Sequence, residues 1–174
     1  MSYVFIDIEA DGPYSPEYSM ISFGAVIVGK DRNLEKTFYG ELQPISEKYI
    51  PEALAVSGFS REETLNFKIP KTTMDEFVKW LAANSQGRPQ FVSDNNGFDW
   101  CFMNYYLHKY TGSNPFGHSS TNLGSLYKGC ERNFHKNFKH LRKTKHTHNP
   151  VDDAMGNAEA FLQMIDIYNL KLKL

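Results

Sequence analysis

Asp7 and Glu9 are the first residues whose types and spacing could do chemistry, standing two apart at the end of the run Tyr3-Val4-Phe5-Ile6-Asp7-Ile8-Glu9. On a strand, side chains two apart project from the same face. Paired carboxylates repel one another and resist desolvation, and a divalent cation coordinated by oxygen offsets both costs. Two further acids face inward by their spacing. Asp99 lies one turn before Phe102 and Met103 in a helical pattern, and Asp153 borders the apolar stripe of the last helix. Asp152, by contrast, shares a solvent face with Gly156, Glu159 and Gln163. Four inward carboxylates suit two Mg²⁺ or Mn²⁺ ions about 4 Å apart better than one ion. Such a pair serves the in-line displacement of a phosphodiester by water. That reaction also needs a proton acceptor, and His148, five residues before Asp153, stands where imidazole could take the proton near neutral pH.

These residues need elements to hold them. The run from Tyr3 is rich in β-branched and aromatic side chains and reads as a buried strand. Met20–Val28 and Lys36–Leu42 read as two more strands, turned at Asp31-Arg32-Asn33, so the first three form an antiparallel meander. Ile50–Val56 is a short helical segment with Pro51 at its start and Gly58 beyond it. Ser60-Arg61-Glu62-Glu63 is a capping box for a brief helix, and Thr73-Met74-Asp75-Glu76 opens a longer one whose Met74, Phe77, Val78 and Leu81 share a face. Gln90–Ser93 follows as a short strand, and a helix runs from Phe98 to Tyr110 with Gly112 past its end. Residues 112–120 leave room for an edge strand, and 122–128 for another helix. The last helix has the clearest start: Asn149 at the N-cap, Pro150 at the first position, and Asp152 and Asp153 in the first turns. Ala154, Ala158, Phe161 and Ile165 form its buried stripe.

With 174 residues, 41% hydrophobic and 14% aromatic, the chain matches one domain, expected to span 1–174. Cys101 and Cys130 form neither a disulfide framework nor a C-x-x-C metal pattern. No apolar run approaches the roughly 20 residues a membrane span needs, and no basic leader precedes the first acids, so a soluble, cytoplasmic protein is expected. The formal net charge of −1 conceals a strong polarity. Residues 128–148 carry seven basic side chains against one acid, Glu131, a net +6 that leaves −7 for the rest. Phe134, Phe138 and four histidines are interleaved with them, as a phosphate backbone with stackable bases would require. Lys139, Arg142 and Lys143 are therefore candidate substrate contacts. With no sustained apolar stripe, the segment is expected to be mobile until it closes over the strand.

A calcium module is excluded. The D-I-E-A-D-G run has acids at positions 1, 3 and 5 and glycine at 6, but Tyr18 occupies position 12, where a bidentate glutamate is required.

Three segments in order resemble the motifs of the DEDDh 3′–5′ exonucleases, a family that includes ribonuclease T and the proofreading subunit of bacterial DNA polymerase III. They are Asp7-Ile8-Glu9, Asp94-Asn95-Asn96-Gly97-Phe98-Asp99, and His148-Asn149-Pro150-Val151-Asp152-Asp153-Ala154. The likeness extends through Ala55–Leu65, which contains S-G-F-S-R-E-E-T-L. The resemblance implies an α/β, ribonuclease H-like fold, with a mixed sheet of about five strands flanked by helices. It implies that Asp7, Glu9, Asp99 and Asp153 hold two Mg²⁺ or Mn²⁺ ions, that His148 is the general base, and that Phe59 lies near the 3′-terminal base. The implied activity releases nucleoside 5′-monophosphates from the 3′ end of nucleic acid, either RNA or single-stranded DNA. RNA or a short single-stranded end is the expected preference, because a stand-alone domain resembles the RNA-trimming members. No membrane partner is expected, and the sequence leaves a homodimer open. Asp94 stands where many members have His, and Pro150 replaces a common small residue. A protein of this fold that only binds nucleic acid would be expected to have lost one of the five site residues, and none is missing.

Overall fold

A computed structural model describes residues 1–172; the last two residues of the 1–174 unit expected from the sequence lie outside it. Five strands, β1 (Tyr3–Ala10), β2 (Met20–Val28), β3 (Thr37–Glu41), β4 (Gln90–Ser93) and β5 (Ser120–Asn122), form one mixed sheet in the order β3-β2-β1-β4-β5. The expected meander is present: β1 pairs antiparallel with β2, and β2 with β3. On its other edge β1 pairs parallel with β4, and β4 with β5, an edge strand that shares only Ser120 with the 112–120 stretch expected to hold one. β1 is thus central, and Val4, Phe5 and Ile6 are wholly inaccessible to solvent. A fully buried side chain of this size contributes about 1.5–3 kcal/mol.

The strand's alternation divides the core in two. Val4, Ile6 and Ile8 face a layer with Phe77 and Leu81 of α3 (Pro70–Asn84) and Phe102, Met103 and Tyr106 of α4 (Asn96–Thr111). Phe5 faces the opposite layer, with Leu123 and Tyr127 of α5 (Leu123–Glu131) and Ala154, Ala158 and Phe161 of α6 (Pro150–Tyr168). Short helices α1 (Pro51–Val56) and α2 (Arg61–Thr64) bridge β3 to α3. α2 carries the expected capping box of Ser60 with Glu63.

Two expectations are corrected. α3 begins at Pro70 rather than at Thr73, because proline at the first helical position sets the start. Thr73 lies inside the helix, and its hydroxyl donates to the Glu41 carbonyl at 2.9 Å. The face of α6 read as solvent-exposed is covered by the basic segment. Gly156 is buried there, and a Cβ on it would meet the Thr144 carbonyl oxygen at 3.0 Å. Gln163 donates to the Leu141 carbonyl at 2.6 Å, and Glu159 accepts from the Lys143 and Thr144 amides at 2.8 and 2.7 Å. Among the described residues no helix is long and apolar enough to cross a membrane.

Candidate active site

Beyond Phe5 on the same face of β1 come Asp7 and Glu9, where the sheet's apolar packing runs out. Opposite Asp7 on β2 lies Gly24. A Cβ at Gly24 would meet the Pro150 carbonyl carbon and oxygen and the Val151 amide nitrogen, all at 2.3 Å. Glycine is therefore what lets the first turn of α6 settle on the sheet beside Asp7. Asn149 starts that turn as expected, its side chain accepting from the Val151 and Asp152 amides. The helix start in turn delivers Asp153, so that Asp7, Glu9 and Asp153 each present an oxygen within 4.8 Å of the others.

Asp99 arrives from the other layer. Pairing of β1 with β4 stops at Phe5 and Val92 while β1 runs on to Ala10, and Asp99 settles near this unpaired end, where the Ser93 hydroxyl and the Ile8 amide partly offset the cost of its burial. Asp99 is not in the 4.8 Å triplet, yet after burial its charge is the largest acting on Asp7. Its Oδ2 is buried with no hydrogen-bond partner. Burial raises the Asp7 and Asp99 carboxyls well above the usual range, with further repulsion on Asp7 from Asp99, Asp153, Asp94 and Glu9. Burial, and then the Asp153 charge, pushes Glu9 up to about 7. Clustered acids that resist ionising, one with an unpartnered buried oxygen, fit divalent cations with oxygen ligands.

His148 stands beside this cluster, its Nδ1 3.8 Å from Glu9 Oε1 and its ring half exposed. Its backbone is left-handed, at φ 61°, a conformation costing roughly 1–2 kcal/mol for a residue with a Cβ. The carboxylate of Asp153 holds it there: the His148 amide donates to Oδ2 at 3.1 Å and the Thr147 amide to Oδ1 at 3.3 Å. Phe59 and His148 line a common cleft with Tyr39 and Ser57, and the Phe59 ring rests edge-on against Phe67. An apolar hollow borders Glu9, walled by Ile8, Pro13, Ile50, Val56 and Phe98. Asp11, which the calcium reading included, is a structural residue, fully buried and ion-paired to Arg61 at 2.8 Å.

The basic segment is not the bare loop expected. α5 extends to Glu131, a 3₁₀ turn spans Lys139–Leu141, and Phe138 and Leu141 are buried. Arg142 is corrected from substrate contact to internal cation. Its side chain is 7% exposed, with Nη2 2.9 Å from Asp94 Oδ2 and Nη1 3.9 Å from Asp153 Oδ1. Nη2 also bonds Asn157, and the guanidinium lies over the Phe138 ring. Lys139 and Lys143 remain exposed. Sequence reasoning missed both this cluster and His146, whose Nδ1 is 2.6 Å from Asp153 Oδ1. The signal for His146 was present in the spacing H-x-H ahead of Asp153.

The RNase_T exonuclease family profile matches residues 4–161. The chain is 34% identical to the Escherichia coli 3′–5′ DNA exonuclease Cap18, over 99% of this chain and 95% of that protein. Among solved structures it is similar to the nuclease domain of 3′hExo, a DEDDh family member, bound to rAMP, with TM-score 0.78, 15% identity, and coverage of 99% of this chain and 96% of that one. It is also similar to cell-death related nuclease 4, with TM-score 0.77 and 14% identity; the alignment covers 95% of this chain but 64% of that protein. Exonuclease I of E. coli in complex with a dA16 oligonucleotide gives TM-score 0.72 at 14% identity, covering 95% of this chain and 41% of that one.

Proposed function

The chain belongs to the RNase T exonuclease family, the DEDDh 3′–5′ exonucleases, and from that premise we propose that it shortens single-stranded DNA from the 3′ end, releasing nucleoside 5′-monophosphates. The observation that carries the reading is the convergence of Asp7, Glu9 and Asp153 oxygens within 4.8 Å, with the unpartnered oxygen of Asp99 beside them. Asp7, Glu9, Asp99 and Asp153 would hold two Mg²⁺ or Mn²⁺ ions, which when bound supply charge neutralisation at the phosphate and activation of the attacking water. His148 accepts the proton of that water. Its half-exposed ring beside Glu9 supports the role, since it can reach both the site and bulk solvent. Phe59 offers its ring to the terminal base, and the hollow beside Glu9 offers an apolar wall to the same nucleotide. Lys139 and Lys143 reach for the backbone.

DNA is favoured as substrate because the E. coli relative, at 34% identity, is named a DNA exonuclease. The expected preference for RNA is the alternative that one assay decides. Matched 5′-labelled DNA and RNA oligomers are incubated with and without Mg²⁺ or Mn²⁺ and their ladders compared. The expected result is a metal-dependent ladder descending from the 3′ end, faster on DNA and slowed by a 3′-phosphate. Faster loss of RNA at every length would reassign the substrate, and equal cleavage of circular and linear strands would replace the exonuclease with an endonuclease.

A further inference from the structure

His146, His148 and Asp153 form a second group of potential ligands, each offering one donor atom within 4.8 Å of the others. The two imidazole rings touch, their centroids 4.4 Å apart, and each is about half exposed, so an ion can enter from solvent. This group differs in kind from Asp7, Glu9 and Asp153, which offer oxygen alone. Oxygen donors suit Mg²⁺ and Mn²⁺, whereas two imidazoles with one carboxylate suit ions such as Zn²⁺. We propose that His146, His148 and Asp153 form a nitrogen-rich site for a borderline transition-metal ion such as Zn²⁺, sharing Asp153 with the all-oxygen cluster.

The backbone builds the site. The left-handed turn at His148 and the two amide bonds from Thr147 and His148 wrap the segment around the Asp153 carboxylate. Each amide occupies one lone pair on one oxygen, and Oδ1 also faces His146 Nδ1 at 2.6 Å, the contact an ion would take over, with Arg142 Nη1 3.9 Å away. Both imidazoles are thus carried by a segment already fixed to the third ligand, which lowers the ordering cost of binding. Three protein ligands leave a fourth, open position on a tetrahedral ion. An ion in this site engages His148 and draws on Asp153, so it opposes the exonuclease reaction. The site stands on geometry alone, while its inhibitory effect rests on the function proposed above.

The test uses the whole metal-free protein. Co²⁺, whose visible absorption is strong in a four-coordinate site and weak in an octahedral all-oxygen one, is added first and then displaced by Zn²⁺. The expected result is a visible band that stoichiometric Zn²⁺ abolishes and that excess Mg²⁺ does not. His146→Gln, at an exposed position, should weaken Zn²⁺ binding by at least about tenfold, the lower bound of the effect of losing even an outer partner of a metal ligand. In nuclease assays at saturating Mg²⁺, the same variant should raise the Zn²⁺ concentration for half-inhibition by a similar factor. If His146→Gln binds Zn²⁺ as tightly as wild type with an unchanged Co²⁺ spectrum, the ion belongs to the carboxylate cluster and the proposal fails. If wild type shows no nuclease activity at all, the function reading fails, and the Co²⁺ and Zn²⁺ titration still decides the site.

Discussion

Arg142 lies within reach of Asp94, Asn157 and Asp153, and removing it would strand two carboxylates beside an already crowded acidic cluster. Truncating one partner of a buried pair costs about 3–5 kcal/mol, so Arg142→Ala should lower the denaturation midpoint by that equivalent and turnover with it. Arg142→Lys should rescue little, since a single ammonium lacks the planar fork that serves several acceptors at once. Lys143→Ala, at an exposed side chain, should change stability by less than about 0.5 kcal/mol. An unchanged midpoint in Arg142→Ala would remove its structural role. The site acids give a second expectation. Glu9 has its folded value raised to about 7, against about 4.3 in an unfolded chain, so the native state holds the proton more tightly. Its contribution is therefore fully present below about pH 4.3 and is lost as pH rises toward 7, and Asp7 and Asp99 are raised in the same direction. Metal-free protein should melt at a lower temperature at pH 8 than at pH 5. Mg²⁺ at a hundredfold excess over its Kd should add about 2.7 kcal/mol, or roughly 5–10 °C, and far less at pH 5, where protons compete. Equal shifts at both pH values, measured by scanning calorimetry, would mean that Mg²⁺ does not bind through these carboxylates. At this scale the sequence exposed the acids through their spacing, whereas the destination of Arg142 depended on Asp94, 48 residues away, and no local pattern announced it.

Among the elements, the contact between β2 and the start of α6 decides how Asp153 meets Asp7, and Gly24 is where they touch. Gly24→Ala drives a methyl into the Pro150–Val151 backbone, an overpacking worth about 1–3 kcal/mol. It also lifts Asp153 away from Asp7. A displacement near 1 Å can cost roughly 10²-fold in rate, so kcat should fall much further than stability does. Gly129→Ala is the control: nothing lies within 4 Å of its Cβ in α5, and helix propensity predicts a gain of about 0.5–1 kcal/mol. A Gly24→Ala enzyme with wild-type kcat would show that the sheet tolerates a wider gap under α6. The elements themselves were legible where their signals are local: the hydrophobic run of β1, the Ser60 capping box and the Asn149-Pro150 start of α6. The errors came where two local signals competed or a distant segment intervened. Proline at position 70 overrode the capping pattern at Thr73. Gly156, Glu159 and Gln163 kept the spacing of a solvent face because their cover is a loop whose backbone supplies the contacts, and backbone leaves no mark in a hydrophobic pattern.

Across the whole molecule the charge is divided, +6 in residues 128–148 and −7 elsewhere, and the fold spends part of that positive charge internally. Arg142 is consumed by Asp94, and Lys136 pairs with Glu131 at 2.7 Å. Lys139 and Lys143 stay exposed on either side of Arg142, on a segment that is pinned to α6 and leads directly to His148. If these lysines grip the strand as proposed, the attraction comes from a segment hydrogen-bonded to α6 rather than from a bare loop. Each phosphate contact on a single strand contributes about 0.7 to the slope of log affinity against log salt, so the Lys139→Ala, Lys143→Ala double variant should flatten that slope by about 1.4. KM should rise most at low salt, where screening is weakest and the two charges act at full range. With saturating substrate, kcat should hold, because both side chains are exposed whereas Glu9, Asp99 and Asp153 are buried. Identical salt titrations for double variant and wild type would place the strand's entry on another side of the cleft, toward Phe59 and Tyr39, and leave the two lysines to balance the acidic remainder of the chain.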